Sequence, residues 1–239
     1  MTSIFKSGLV ALCSCWVFSQ CLSIVKIADN EERVTKKLDL PTIHTVVLDM
    51  PANVIITPSS TQFVEVDAQV TLQDLLKTEV VNGVWQINLK QSATNFSNTT
   101  IRLGLPTVVH IKNFSTGSIT YTQAAQVAQN LSITSDGTGQ IEATINTKNL
   151  TVRSKSIGQI KLSGTAQIAD IENTGLTAYS AFDLQTETCR IVATSSGKSQ
   201  VNVKNTLDVS VSGMGDVFFK GRPTITKNIT GQGKLVDAN

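Results

Sequence analysis

From Thr45 onward, apolar and polar residues alternate in short runs. The segments 45–49 (TVVLD), 53–57 (NVIIT) and 63–67 (FVEVD) read as β-strands, divided by the turn-forming stretches MPAN and PSS. Residues 70–78 (VTLQDLLKT) place Leu72, Leu75 and Leu76 at helical spacing and predict one short helical turn. The run 84–89 (VWQINL) alternates cleanly after a turn at Asn82-Gly83. The polar stretch 91–100 reads as a loop, and 101–106 (IRLGLP) leads into 108–112 (VVHIK).

After Pro106 the chain changes character. No proline occurs from Thr107 to Arg222, and glycine becomes periodic. The last glycine of each cluster gives Gly117, Gly139, Gly158, Gly175, Gly197, Gly215 and Gly233, with steps of 22, 19, 17, 22, 18 and 18 residues. That is an internal repeat of about 19 residues, and a repeat decides the fold class before other signals do. Alternating apolar runs (Leu131/Ile133, Leu150/Val152, Leu207/Val209/Val211) precede small polar glycine turns, and most are followed by a second short apolar run. Strand, glycine turn, strand and turn make one coil of a β-solenoid. The expected architecture is all-β: a right-handed parallel β-helix whose inward faces carry Leu, Ile and Val. Each glycine turn is expected to need a positive φ, where a Cβ is penalised.

The first 23 residues read as a secretory signal: one positive charge at Lys6, an apolar run over 8–18, and small residues before a cleavage point after Ser23. The run is too short to span a bilayer, which takes about 20 residues. Lipidation at Cys15 or Cys21 is the alternative and would anchor the chain without crossing the membrane. Cleavage after Ser23 leaves Cys189 as the one cysteine, so the exported fold rests on its core and not on a disulfide. Cys189 itself reads as a small core residue. The domain plan is therefore signal peptide 1–23, a charged lead-in over 24–40 that is expected to be mobile over 29–37, with order beginning near Leu38–Thr42, a strand-rich part over 41–112, and solenoid repeats over 113–239. The strand-rich part is placed to cap one open end, where self-association is also conceivable.

Only 16% of residues are charged and the net charge is +2, which argues against a nucleic-acid surface. Aromatics are 5%, too few for a broad sugar-stacking face. The two histidines, His44 and His110, have no Cys, His or acid at ligand spacing, and His110 falls on the outward phase of its strand. A β-helical lyase or glycosidase would gather carboxylates from neighbouring coils. Asp170, Glu172, Asp183, Glu187, Asp208 and Asp216 are the candidates, and Asp170 and Glu172 alternate onto one face. The Gly-x-Gly turns lack the third glycine and following helix of dinucleotide loops, and no aspartate recurs at calcium-repeat spacing. N-x-[ST] sequons begin at Asn95, Asn98, Asn113, Asn130, Asn149 and Asn228, and read most simply as Thr- and Ser-rich strand composition. No catalytic, cofactor-binding or metal residue is nominated, and no cofactor.

The segment 207–223 (LDVSVSGMGDVFFKGRP) resembles the C-terminal signature of the head GIN domain family, described as autotransporter adhesins: an alternating strand, a Ser-Gly-x-Gly turn, an aromatic strand and a Gly-x-Pro turn. Residues 229–235 (ITGQGKL) repeat it once more. The start at His44–Asp49, the Asn82-Gly83 hairpin and Leu105-Pro106 are similar too, so the resemblance covers about residues 40–237. In the middle, the family's double-glycine turn is reduced to SIG, ENTG and TSSG, which leaves the coil boundaries over 160–200 open. The resemblance implies an exported β-helical envelope protein of a Gram-negative bacterium, in the periplasm, on the outer membrane or at the cell surface. The expected role is non-enzymatic adhesion or binding through the solenoid surface, with an envelope protein, a glycan or a host surface as partner. A periplasmic structural role and a carbohydrate-active β-helix enzyme are the alternatives.

Overall fold

The alternating runs pair side by side as parallel strands, so their apolar positions fall into inward columns one coil apart. A computed structural model describes residues 24–95, 98–122 and 127–239. The expected signal segment, with Cys15 and Cys21, lies outside the described residues. Among the described residues no helix is long and apolar enough to cross a membrane.

The register of the first sheet runs His110↔Ser132, Ser132↔Thr151, Thr151↔Asp170, Asp170↔Arg190, Arg190↔Asp208 and Asp208↔Thr226. The steps are 22, 19, 19, 20, 18 and 18 residues, giving a parallel β-solenoid of about seven turns from His110 onward. The second sheet stacks Ser118–Thr122 on Gln140–Ser154, then Gln159–Asn173, then Ala178–Ala193. Each of these last three strands is long because it continues around a corner from the second sheet into the first. Inside lie Ile111, Ile133, Val152, Ile171, Ile191 and Val209 in one column, and Leu131, Leu150, Ala169, Cys189 and Leu207 in the next. Cys189 is fully buried, and burial, with a smaller contribution from Asp170, pushes its thiol up to about 12. It is a core residue, as its apolar setting predicts.

The repeat explains why the glycine spacing looked irregular. Two turn columns lie two residues apart. The outer column holds Gly117, Gly139, Gly158, Thr177, Gly197, Gly215 and Gly233; the inner holds Ser115, Gly137, Ser156, Gly175, Ser195, Gly213 and Gly231. Gly175 belongs to the inner column, and Thr177 fills the outer place in that coil. Counting Gly175 with the others is what produced steps of 17 and 22 where the register gives 19 and 20. The reason for glycine also differs from expectation: none of these turn glycines has a positive φ. A Cβ on Gly139 would stand 1.8 Å from the carbonyl oxygen of Gly117, and one on Gly215 would stand 2.2 Å from that of Gly197. Backbone lies directly on backbone there. Where Ser takes the inner place, its hydroxyl accepts from the amide two residues on, as Ser115 does from Gly117 at 2.9 Å.

The strand-rich part departs from chain order. Thr45–Leu48 and Asn53–Pro58 form a coil directly against His110–Asn113 and Ser118–Thr122. Val84–Ile87 and Thr100–Leu105 then stack on its far side. Between them the chain runs out through Phe63–Gln69 and the predicted helical turn, Val70–Leu75, and re-enters by a hairpin. Asn82 and Gly83 both sit at positive φ, 50° and 71°, as a two-residue hairpin turn requires. Phe63–Gln69 lies antiparallel on Thr100–Leu105 and closes that end. The charged lead-in is not mobile as expected: Arg33–Leu38 forms a strand antiparallel to Phe63–Gln69, held by an Arg33–Asp67 ion pair of 2.9 Å. Val34 and Leu38, four residues apart on one face, are its two half-buried positions, and with the pairing partner they outweigh the run's polarity. Upstream, Val25–Lys26 pairs with Ala93–Thr94, and Ile27 is buried.

Candidate functional site

Asp170 and Glu172 do share an outer face, and arginines occupy the space between them. Arg153 from the preceding coil reaches Asp170 Oδ2 at 2.6 Å through Nη2 and Glu172 Oε2 at 3.1 Å through Nε. Arg190 from the following coil reaches Asp170 Oδ1 at 3.0 Å. Partial burial works to raise the Asp170 pKa, but hydrogen bonds and charge from the two guanidiniums outweigh it and hold the carboxyl below its ordinary range. A general acid needs the opposite shift. Asp208 lies beyond Arg190 in the same column. Asp216 accepts the Lys234 amide at 2.8 Å and so fixes a turn. Asp183 is exposed on the second sheet. Of the six carboxylates, Glu187 alone lines the groove described below.

The histidines, far apart in sequence, meet in space. His110 is paired with Thr45, next to His44, and lies outward as its phase predicts. Its pKa is lowered by burial first, then by the charges of Lys112 and His44. The His44 ring lies over Gly83, with Nδ1 3.2 Å from Thr45 Oγ1. His44 also borders a shallow apolar cleft with Ile43, Pro106 and Val109. Among the described residues no group of three His, Cys, Asp or Glu side chains could hold a metal ion.

The concave polar site lies at the corner where the second sheet bends into the first. Its floor is the column Thr147, Ala166 and Thr186, three small buried residues in register, and the surface dips over them. One wall carries Asn146, Thr165 and Gln185, successive rungs of the second sheet. The other carries Gln167, Glu187 and Lys204. The groove encloses about 210 Å³, with Val127 at one end. Elsewhere on the outer surface, side chains on adjacent coils are bonded to one another: Thr144 to Ser163 at 2.9 Å, Asn149 to Asn130 at 2.9 Å, Lys161 to Glu142 at 2.8 Å. In the groove, Thr165 donates to Asn146 at 2.9 Å, and Thr147 and Thr186 donate to backbone carbonyls. Among the described residues the side chains of Gln167, Gln185, Glu187 and Lys204 make no hydrogen bond or ion pair. The arrangement thus offers two amides, a carboxylate and an ammonium to a ligand. Nothing in the local pattern signals it: each residue reads as ordinary exposed strand polarity, and only register shows the small residues beneath.

A family model described as "Putative auto-transporter adhesin, head GIN domain" matches residues 43–223. Among solved structures, the chain is similar to a putative adhesin from Bacteroides fragilis, with TM-score 0.82 and 21% identity over 89% of this chain and 99% of that one. It is also similar to a putative lipid binding protein from Parabacteroides distasonis, with TM-score 0.73 and 22% identity over 90% of this chain and 100% of that one. A putative adhesin from Parabacteroides merdae gives TM-score 0.66 and 16% identity over 90% of this chain and 100% of that one. At these identities the likeness is one of fold. No curated protein matches the chain.

Proposed function

This chain belongs to the head GIN domain family, described as putative auto-transporter adhesins, and on that footing we propose that it is an exported envelope protein of a Gram-negative bacterium that binds and does not catalyse. The observation that carries this reading is the contrast between its carboxylates and its corner. Asp170 and Glu172, the pair best placed for acid–base work, are held by Arg153 and Arg190. The corner groove instead presents four side chains, Gln167, Gln185, Glu187 and Lys204, that are not bonded to any of the described residues, on a stack of paired coils. Such a surface recognises a partner without reorganising, which lowers the entropic cost of association. Contact is made through the side of the solenoid.

The test is protease shaving of intact cells carrying a tagged chain, with fractionation and membrane flotation. Digestion in intact cells is the expected result and places the binding surface outside. Protection until the outer membrane is opened would sink the adhesion reading and leave a periplasmic role.

A further inference from the structure

We infer that the corner groove binds a carbohydrate chain laid along the solenoid axis. This rests on the binding reading above and names the chemistry of the ligand. The groove's polar groups are ordered by coil: Asn146, Thr165 and Gln185 along one wall, Gln167, Glu187 and Lys204 along the other. Rungs of a parallel sheet lie about 4.8 Å apart. A ligand that meets them must carry donors and acceptors at short intervals along its length. Hydroxyls on successive sugar rings do so, and each can both donate to a carboxylate and accept from an ammonium or amide. Val127, half exposed at one end, offers a small apolar surface for a ring's C–H face.

Other polymers fit less well. An extended peptide binds a sheet through a free strand edge. Here the strands 140–154, 159–173 and 178–193 are paired on both sides over most of their length, with a register break at 186–188, so the groove presents mainly side chains. A nucleic acid needs a net basic track, and Glu187 faces the same groove as Lys204. An acyl chain needs an apolar floor, and this one is Thr147, Ala166 and Thr186.

The probes are neutral, N-acetylated and uronic hexasaccharides, titrated into the isotope-labelled chain and followed by backbone amide NMR shifts. The expected result is saturable movement confined to residues near 146–148, 165–167, 185–187 and 204 for at least one hexasaccharide, with a dissociation constant of about 1 mM or tighter. Gln167→Ala with Gln185→Ala removes two unpartnered, exposed amides and should weaken that binding about tenfold, with the thermal midpoint unchanged. Glu187→Gln is the second variant and should weaken it independently. Movement elsewhere on the surface, or none with any of the three up to about 10 mM, overturns the inference. So does equal movement with an extended Ser/Thr hexapeptide. None of these failures touches the shaving result, so a surface-exposed protein without sugar binding would keep the adhesion reading and lose only this one.

Discussion

Gly215→Ala separates two reasons for a turn glycine. Gly215 has no positive φ, so alanine can adopt its backbone conformation. Were conformation the only issue, the substitution would stabilise the protein by about 0.4–1 kcal/mol, through a less flexible unfolded chain. The coil beneath decides otherwise. An added Cβ would stand 2.2 Å from Gly197 O and 2.9 Å from both Gly197 C and Ser196 C, all backbone atoms with no rotamer to yield. Relief requires the two coils to part by about 1 Å, since carbon contacts relax near 3.5 Å. That movement stretches the Gly215 N–H to Ser195 carbonyl bond of 2.9 Å, and with it the next rung, where Ser199 N–H meets Asp216 O at 3.0 Å. Overpacking costs about 1–3 kcal/mol, and each weakened bond adds up to about 1 kcal/mol. The expected loss is roughly 2–4 kcal/mol. Equilibrium urea unfolding followed by far-UV circular dichroism measures it as a lower midpoint. An unchanged or raised midpoint would refute the reasoning, because the sign itself distinguishes contact from conformation. Thr177 is the natural control. It fills the same column with a Cβ, and its hydroxyl donates to Ser156 O at 2.9 Å. Thr177→Gly should therefore destabilise, although it restores the column's commonest residue.

Three further outcomes follow from the charges and the cap. The Asp170 carboxyl is held low, so its stabilisation is present above the ordinary carboxylate pKa and is lost as pH falls through the lowered folded value. Asp170→Asn should flatten the acid limb of a stability-against-pH curve at a cost below about 1 kcal/mol at pH 7, because the pair is about a third exposed and screened; an unaltered acid limb would count against the ion-pair argument. The lowered His110 pKa runs the same way: its contribution is present above the unfolded value near 6.5 and fades as pH falls toward the folded one. An NMR titration of His110 should therefore give a midpoint below about 6.5, and Lys112→Ala should bring it part of the way back, burial being the larger cause. Deleting residues 24–38 exposes the outer edge of Phe63–Gln69 and should raise concentration-dependent association in light scattering, whereas a monodisperse deletion would show that Arg33–Leu38 protects nothing.

The parts of this fold that local chemistry controls were readable from the chain. Asn82-Gly83 can hardly be anything but a tight hairpin, the 19-residue glycine period implies stacked coils, and Cys189 between apolar neighbours lies in the core. What escaped was phase. Glycine, serine and threonine share the two turn columns, because a hydroxyl bonded to its own turn, as at Ser156, or to the coil beneath, as at Thr177, can replace a bare backbone contact. A rule that follows only glycine therefore slips by two residues at Gly175. Coil order at the N-terminal end escaped for another reason. The strands 45–48 and 84–87 carry equivalent alternation, and nothing local says that the later one stacks outside the earlier. The Arg33–Leu38 strand was hidden because charge density usually signals a solvated lead-in, yet two apolar residues in phase suffice against a waiting edge.

The groove was hidden because concavity belongs to several coils at once, and the same fact makes recognition separable from stability here. Thr147, Ala166 and Thr186 form its floor through register, whereas the side chains of Gln167, Gln185, Glu187 and Lys204 stand beside it, exposed and without a hydrogen bond or ion pair among the described residues. Substituting these four removes no hydrogen bond or ion pair among the described residues, so each should change stability by no more than about 0.5 kcal/mol. Enlarging the floor is different in kind: Ala166 is 3% exposed, and Ala166→Leu adds three carbons where the interior is already packed, at about 1–3 kcal/mol. A wall set that is stability-neutral beside a floor that is not would show a surface free to change its ligand while the stack of coils stays fixed. Losses of 2 kcal/mol or more from the wall variants, read by the same urea titration, would mean that those side chains hold the corner together, and the groove would then be architecture.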